Sequence, residues 1–252
     1  SGGAIYIKDS VKINAARIRE NRIDKAFTKT GNGGFFSAKG NRINKFRIEY
    51  NIVDSSYAEG GKGGFIALEC NINNYFASKG NTISYSKAGN GNGGNLFLEL
   101  DEGHDIEIEN DEIIESHSNG YGGAYFINNS LNDTLNSFKF RKNSFQTIHA
   151  GADGGVLYFK GHINFDVEDK IEIIENEVTV ESYANDDGGF AFFKGYLSGS
   201  MHFSNNIIKS SEAEDDGGAL FINNESTLNN SFVMRNNTIG TSVSSHGSGG
   251  IL

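Results

Sequence analysis

The chain has 252 residues, with 32 Asp and Glu against 22 Lys and Arg and a formal net charge of −10. Such an acidic balance, with no evident clustering of Lys or Arg, argues against nucleic acid as a partner, because phosphate binding needs a concentrated basic surface. No apolar run approaches the roughly 18 residues of a membrane helix, and the single cysteine, Cys70, excludes an internal disulfide framework and a cysteine-based zinc site.

A Gly-Gly pair recurs along the whole chain, starting at Gly2, Gly33, Gly63, Gly93, Gly122, Gly154, Gly188, Gly217 and Gly249, with successive separations of 29 to 34 residues. A period near 30 is the signature of a solenoid. Taken in chain order, each unit opens on a short apolar run after the pair, as in Ala4-Ile5-Tyr6-Ile7, Phe65-Ile66-Ala67-Leu68 and Val156-Leu157-Tyr158-Phe159. Four such residues are too few for a helix and predict a strand with both faces apolar. A second stretch alternates, as in Phe46 and Ile48 or Phe138 and Phe140, which is the period of a half-buried strand. It ends at an apolar-x-x-Asn-x-apolar motif that places Asn21, Asn51, Asn81, Asn143, Asn176, Asn206 and Asn237 at one position of the unit, with Asp111 in the fourth. A third stretch follows, with Ser56, Ser86, Ser116, Ser211 and Ser242 at one position.

Three short strands per unit without helical periodicity predict an all-β fold, a right-handed parallel β-helix of about eight coils. The coils would rise about 4.8 Å each, in one continuous segment over 1–252. The Asn side chains would stack into a hydrogen-bonded ladder that Asp111 interrupts, because a carboxylate only accepts. The Gly pair would serve a corner where positive φ or close backbone approach excludes a Cβ. From the Asn or Asp to the next pair the chain takes 11 or 12 residues, but from the pair to the Asn it takes 18 to 22, so insertions collect in one loop per coil. The chain opens and closes inside a repeat, which suggests an excerpt from a longer array.

The coupled motifs Gly2-Gly3-Ala4-Ile5 and Gly217-Gly218-Ala219-Leu220, with Phe140-Arg141-Lys142-Asn143 and Phe203-Ser204-Asn205-Asn206, resemble the repeats of chlamydial polymorphic outer membrane proteins. The resemblance implies an extracellular right-handed β-helix involved in adhesion. It covers the whole chain as a pattern, although Phe35, Phe65, Asn95, Val156, Phe190 and Ile251 stand where the motif has Ala.

Several residues are candidates for more than folding. Phe97, Phe126, Tyr158, Phe192 and Phe221 share one position over five consecutive units. If they face outward, they form an aromatic stripe for a protein or glycan partner at a cell surface; if they face inward or are covered, they are core. Asp153, Asp186, Asp187, Asp215 and Asp216 precede the Gly pair on three successive units, where stacked carboxylates would either hold calcium, the one cofactor the pattern suggests, or splay apart as turn acids. Asn128, Asn132, Asn224, Asn229 and Asn236 head glycosylation sequons, meaningful in a eukaryotic secretory setting.

The acids follow the repeat and the six histidines fall at unrelated repeat positions, whereas a catalytic site usually breaks a repeat. The expectation is therefore a non-enzymatic spacer or adhesive surface, extracellular or on a cell. A polysaccharide-active enzyme and a subunit of a filamentous assembly, packing laterally or end to end, are the alternatives.

Overall fold

A computed structural model describes residues 3–8, 11–100, 105–129, 135–161, 163–164, 170–195, 197–198, 200–223 and 231–251. They wind as a parallel β-solenoid with three strand segments per coil. The first segment (Leu96–Leu100, Tyr125–Asn129, Leu157–Lys160, Ala191–Lys194) and the second (Asp105–Glu109, Ser137–Arg141, Lys170–Ile174, Ser200–Ser204) belong to one 14-stranded sheet. In two early coils, where no residues intervene, the two segments fuse into Phe36–Glu49 and Ile66–Lys79. The third segment (Ser86–Ala88, Glu112–Ser118, Ser144–Ala150, Glu177–Ala184, Ile207–Ala213, Thr238–Ser244) builds an 11-stranded sheet. Residues in these strands pair with their repeat equivalents, as in Leu98 with Ile127 and Ile108 with Phe140, with local register shifts such as those after Phe145 and after Val178.

The core runs the length of the coil stack. First-segment Leu98, Ile127 and Phe159, second-segment Ile108, Phe140 and Ile173, and third-segment Ile113, Phe145 and Val178 are all fully buried. Each such side chain contributes about 1.5–3 kcal/mol relative to exposure.

Two corners turn the chain. At the Gly pair, the first glycine is left-handed, as in Gly93 with φ 67°, and the second lies against the next coil. At the other corner the residue just before the ladder Asn is left-handed in every coil, and here four non-glycine, non-Asn residues, Glu20, Tyr50, Lys142 and Glu175, take φ 55–58°. The ladder explains why that cost is tolerated. In each link the Asn Nδ2 and backbone N–H both donate to the Oδ1 above, as from Asn143 to Asn176 at 2.9 and 3.1 Å, and Nδ2 also donates to a carbonyl of the preceding coil, Ile108 O at 3.1 Å. The same pattern links Asn21, Asn51 and Asn81, and links Asn176, Asn206 and Asn237. Every hydrogen-bonding valence of the buried amide is thereby used.

Candidate functional site

Asp111 breaks the ladder as its chemistry requires. Its Oδ1 accepts from Asn81 N and Nδ2 at 2.8 and 2.9 Å, but only its backbone N–H reaches Asn143 Oδ1, at 3.0 Å. The second carboxylate oxygen accepts from Ser78 Oγ at 2.5 Å and from the Tyr125 hydroxyl at 3.1 Å. Ser78 stands where most coils have Ile or Phe, and Tyr125 stands where most have Ile or Leu and two have Phe36 and Ala191. Asn95, at a position that is otherwise Ala, Phe, Val or Ile, is buried alongside, and its amide also hydrogen-bonds the Tyr125 hydroxyl. Four departures from the repeat therefore meet at one buried point. Burial pushes the Asp111 carboxyl up to about 6, against the hydrogen bonds from Ser78, Asn81 and Tyr125 that favour its ionised form, and burial beside Asp111 raises the Tyr125 phenol well above its ordinary value. Ser78, Asn95, Asp111 and Tyr125 are each at most 4% exposed, so this polar island is closed to any ligand.

The aromatic column is real but it is not an exposed stripe. Phe97, Phe126, Tyr158 and Phe192 are buried and only Phe221 is partly so, in a cluster separate from the solenoid core. Successive rings from Phe97 to Phe192 stack with centroids 4.9–5.2 Å apart and planes within 7° of parallel, so each ring covers its neighbour's face. Side chains from the residue before the Gly pair cover more of the column. Lys62 Nζ sits 4.3 Å from the Phe97 centroid and the Tyr121 ring lies 4.7 Å from Tyr158. The rings cannot offer their faces to sugars. Beside them lies a groove of about 300 Å³ that Tyr121, Asn128, Lys160 and Lys194 border.

Where the residue before the Gly pair is Asn or Asp, it acts as an acceptor for the backbone of the next coil. Asn32 Oδ1 accepts from Lys62 N–H and Asn92 Oδ1 from Tyr121 N–H, both at 3.1 Å. Asp153 accepts from Asp187 N–H at 3.3 Å, and Asp187 from Asp216 N–H at 2.8 Å. Asp153, Asp187 and Asp216 thus stack in one column, whereas Asp186 and Asp215 lie one residue outside it. Burial first, and then the neighbouring Asp187 and Asp186 carboxylates, raise Asp153 to about 6; burial and Asp216 raise Asp187. Among the described residues no group of three or more His, Cys, Asp or Glu is disposed to hold a metal ion.

A raised carboxyl pKa means that the fold disfavours the ionised form. Its destabilisation is absent below about pH 4 and is fully developed above about pH 6. Asp153→Asn keeps the acceptor, as Asn32 and Asn92 do, and removes the charge. The expected result is a melting midpoint higher by about 1–3 °C at pH 7, with the difference vanishing near pH 4. A variant that melts lower at pH 7 would mean that the column needs its charge, and a calcium titration of the native chain would then identify the cation that balances it.

Other expectations are redrawn by the third segment and by the charge distribution. His117 and His149 are not at unrelated positions: they pair in register, 5.9 Å between centroids, and Tyr183 stacks on His149 at 4.9 Å. Burial, and then the His117 imidazole, lowers the His149 pKa. The Lys and Arg residues do cluster: eleven of the 22 lie within residues 1–50 with only four of the 32 Asp and Glu, a net +7 against −17 for the remainder. The whole-chain charge hides this division. Of the sequons, Asn128 is half-buried at the groove and Asn236 is exposed at the left-handed corner, whereas Asn132, Asn224 and Asn229 lie outside the described residues.

Among the described residues no helix is long and apolar enough to cross a membrane. Comparison of the chain with protein-family models, with curated proteins and with solved structures finds no match.

Proposed function

We propose that the chain is a non-enzymatic, rigid segment of an extracellular or cell-surface protein, and that it holds an adhesive surface at a fixed distance and orientation. One observation carries this reading: the residues that depart from the repeat and could do acid–base chemistry, Ser78, Asp111 and Tyr125, are sealed in the core, while the stacked aspartates are taken up as acceptors in a ladder. Hydrolysis of a glycosidic bond needs two accessible carboxyl groups across a sugar. The likeness of the Gly-Gly-Ala and Phe-x-x-Asn motifs to chlamydial surface-protein repeats supports the extracellular setting.

Beads coated with the purified chain should be retained on cultured cell layers more than beads coated with a globular protein of equal charge. Neutral and acidic polysaccharides incubated with the chain should release no new reducing ends and form no unsaturated uronate absorbance. Turnover of either kind would replace the adhesive reading with the enzymatic one.

A further inference from the structure

The basic quarter of the chain is concentrated on the outer face of the second strand segment. There Lys12 pairs in register with Arg42, and Arg17 with Arg47, while Lys45 stands beside them. Arg17 is neutralised by Glu49. Lys12, Arg42 and Lys45 are exposed and have no acidic partner among the described residues; Arg47 is exposed and lies 5.3 Å over the Tyr75 ring, likewise without an acid. Between them runs a column of amides in which Asn44 donates to Asn14 at 3.1 Å and Asn74 donates to Asn44 at 2.5 Å. Two adjoining open grooves, about 400 and 370 Å³, follow this face: Lys12, Asn14 and Arg42 border the first, and Lys45, Arg47, Asn74 and Tyr75 the second, with Asp105, which accepts from the Ser137 hydroxyl at 2.7 Å, at its edge.

The same outer columns change sign two coils further on. Lys45 is followed by Tyr75 and then Asp105, and Arg47 by Ala77 and then Glu107. Tyr75 and Lys79 tie down Glu107 at 2.5 and 2.8 Å, which closes the patch with satisfied acids and leaves its cations unsatisfied. Four unpaired cations gathered on one face of a chain of net charge −10 make a local positive potential that draws anions to that face.

We propose that this face binds a linear acidic polysaccharide, lying along the strand that carries Arg42, Lys45 and Arg47, with Lys12 beside Arg42 on the neighbouring coil. The inference rests on the adhesive reading above and names its ligand class. Arg42 and Arg47 supply planar guanidinium forks for carboxylate or sulfate, Lys12 and Lys45 supply point charges, and the Asn amides supply the hydroxyl contacts of a sugar backbone. Arg42, Lys45 and Arg47 are spread along one strand over roughly 17 Å at the usual strand rise, so anionic substituents of successive sugars meet them in turn while Lys12 adds a charge from the neighbouring coil. A nucleic acid satisfies the charge but not the amide column, and the face shows no exposed aromatic ring free for a base, since Arg47 occupies Tyr75.

The test is calorimetric titration of the whole chain with a heparin-derived octasaccharide, which carries both carboxylate and sulfate. Controls are a neutral maltooctaose, a 12-nucleotide single-stranded DNA and a hexaglutamate peptide. Saturable binding of the octasaccharide is expected. It should weaken steeply with salt, and by about tenfold or more in Arg42→Ala/Lys45→Ala, while Lys160→Ala/Lys194→Ala, in the distant groove, should bind as the native chain does. Melting curves of the native chain and of Arg42→Ala/Lys45→Ala should overlay, because both substituted side chains are exposed.

No octasaccharide binding at millimolar concentration, equal weakening by the distant pair, or tighter binding of DNA or hexaglutamate would each overturn the proposal. Octasaccharide binding without bead retention would keep this site and remove the adhesive role. Bead retention that the octasaccharide does not compete would do the reverse.

Discussion

Gly94→Ala is expected to be severely destabilising, costing more than about 3 kcal/mol. Gly94 is the second residue of its pair, and a Cβ there would meet the Gly123 carbonyl of the next coil, the His117 carbonyl oxygen at 2.6 Å and the Ser116 hydroxyl at 2.6 Å. Two of these are backbone atoms that no rotamer change can move. Relief requires separating two coils, and that breaks the bonds Gly94 N–H makes to Gly122 O at 3.2 Å and its neighbours make alongside. Urea unfolding of Gly94→Ala beside the exposed control Lys209→Ala, expected within about 0.5 kcal/mol of native, gives the comparison. A loss below 1 kcal/mol for Gly94→Ala would show that the corner tolerates a side chain.

Asn176→Leu follows, with an expected loss of about 2–4 kcal/mol. Asn176 Oδ1 is the acceptor for both donors of Asn143, and its Nδ2 serves Phe140 O at 2.9 Å and Asn206 Oδ1 at 3.0 Å. Leucine is of similar size and leaves two buried donors without an acceptor and one carbonyl without its donor. Asn176→Asp should cost less near pH 7, since a carboxylate still accepts from Asn143, as Asp111 does from Asn81. Amide hydrogen exchange at Asn143 gives a local check: its protection should fall in the Leu variant and persist in the Asp variant. Equal urea midpoints for native and Leu chains would remove the ladder as a source of stability.

Both effects rest on residues whose role the sequence already states, because a repeat shows the same physical demand eight times over. The period, the three strands, the Asn ladder and the exclusion of side chains from the Gly corner all come from positions held fixed across coils. What was illegible depends on neighbours that are not equivalent positions. The aromatic column could be placed on one strand position but not covered, since its lids Lys62 and Tyr121 come from the variable residue before the Gly pair. That same residue hides the second acceptor ladder: Asn32, Asn92 and Asp153 look unrelated until each is seen to hold a backbone N–H of the coil above. The left-handed corner carries a compositional trace in Gly80, Asn110, Asn205 and Asn236, which Glu20, Tyr50, Lys142 and Glu175 obscure. The basic face was lost for a different reason, because summing charge over the chain cancels the division that makes it.

Ser78, Asp111 and Tyr125 have a consequence for how the stack assembles. In a column of near-identical coils, each Asn is satisfied by any other Asn, and each strand edge by any other strand, so neither distinguishes the correct neighbour from the next one along. The hydroxyls of Ser78 and Tyr125 converge on Asp111 only when their three coils are adjacent and in that order. Slipping the stack by one coil would leave a buried carboxylate facing Ile or Phe, a penalty of about 3–5 kcal/mol. The island is an address written once in an otherwise repetitive text, and the folding chain can count its coils outward from it in both directions.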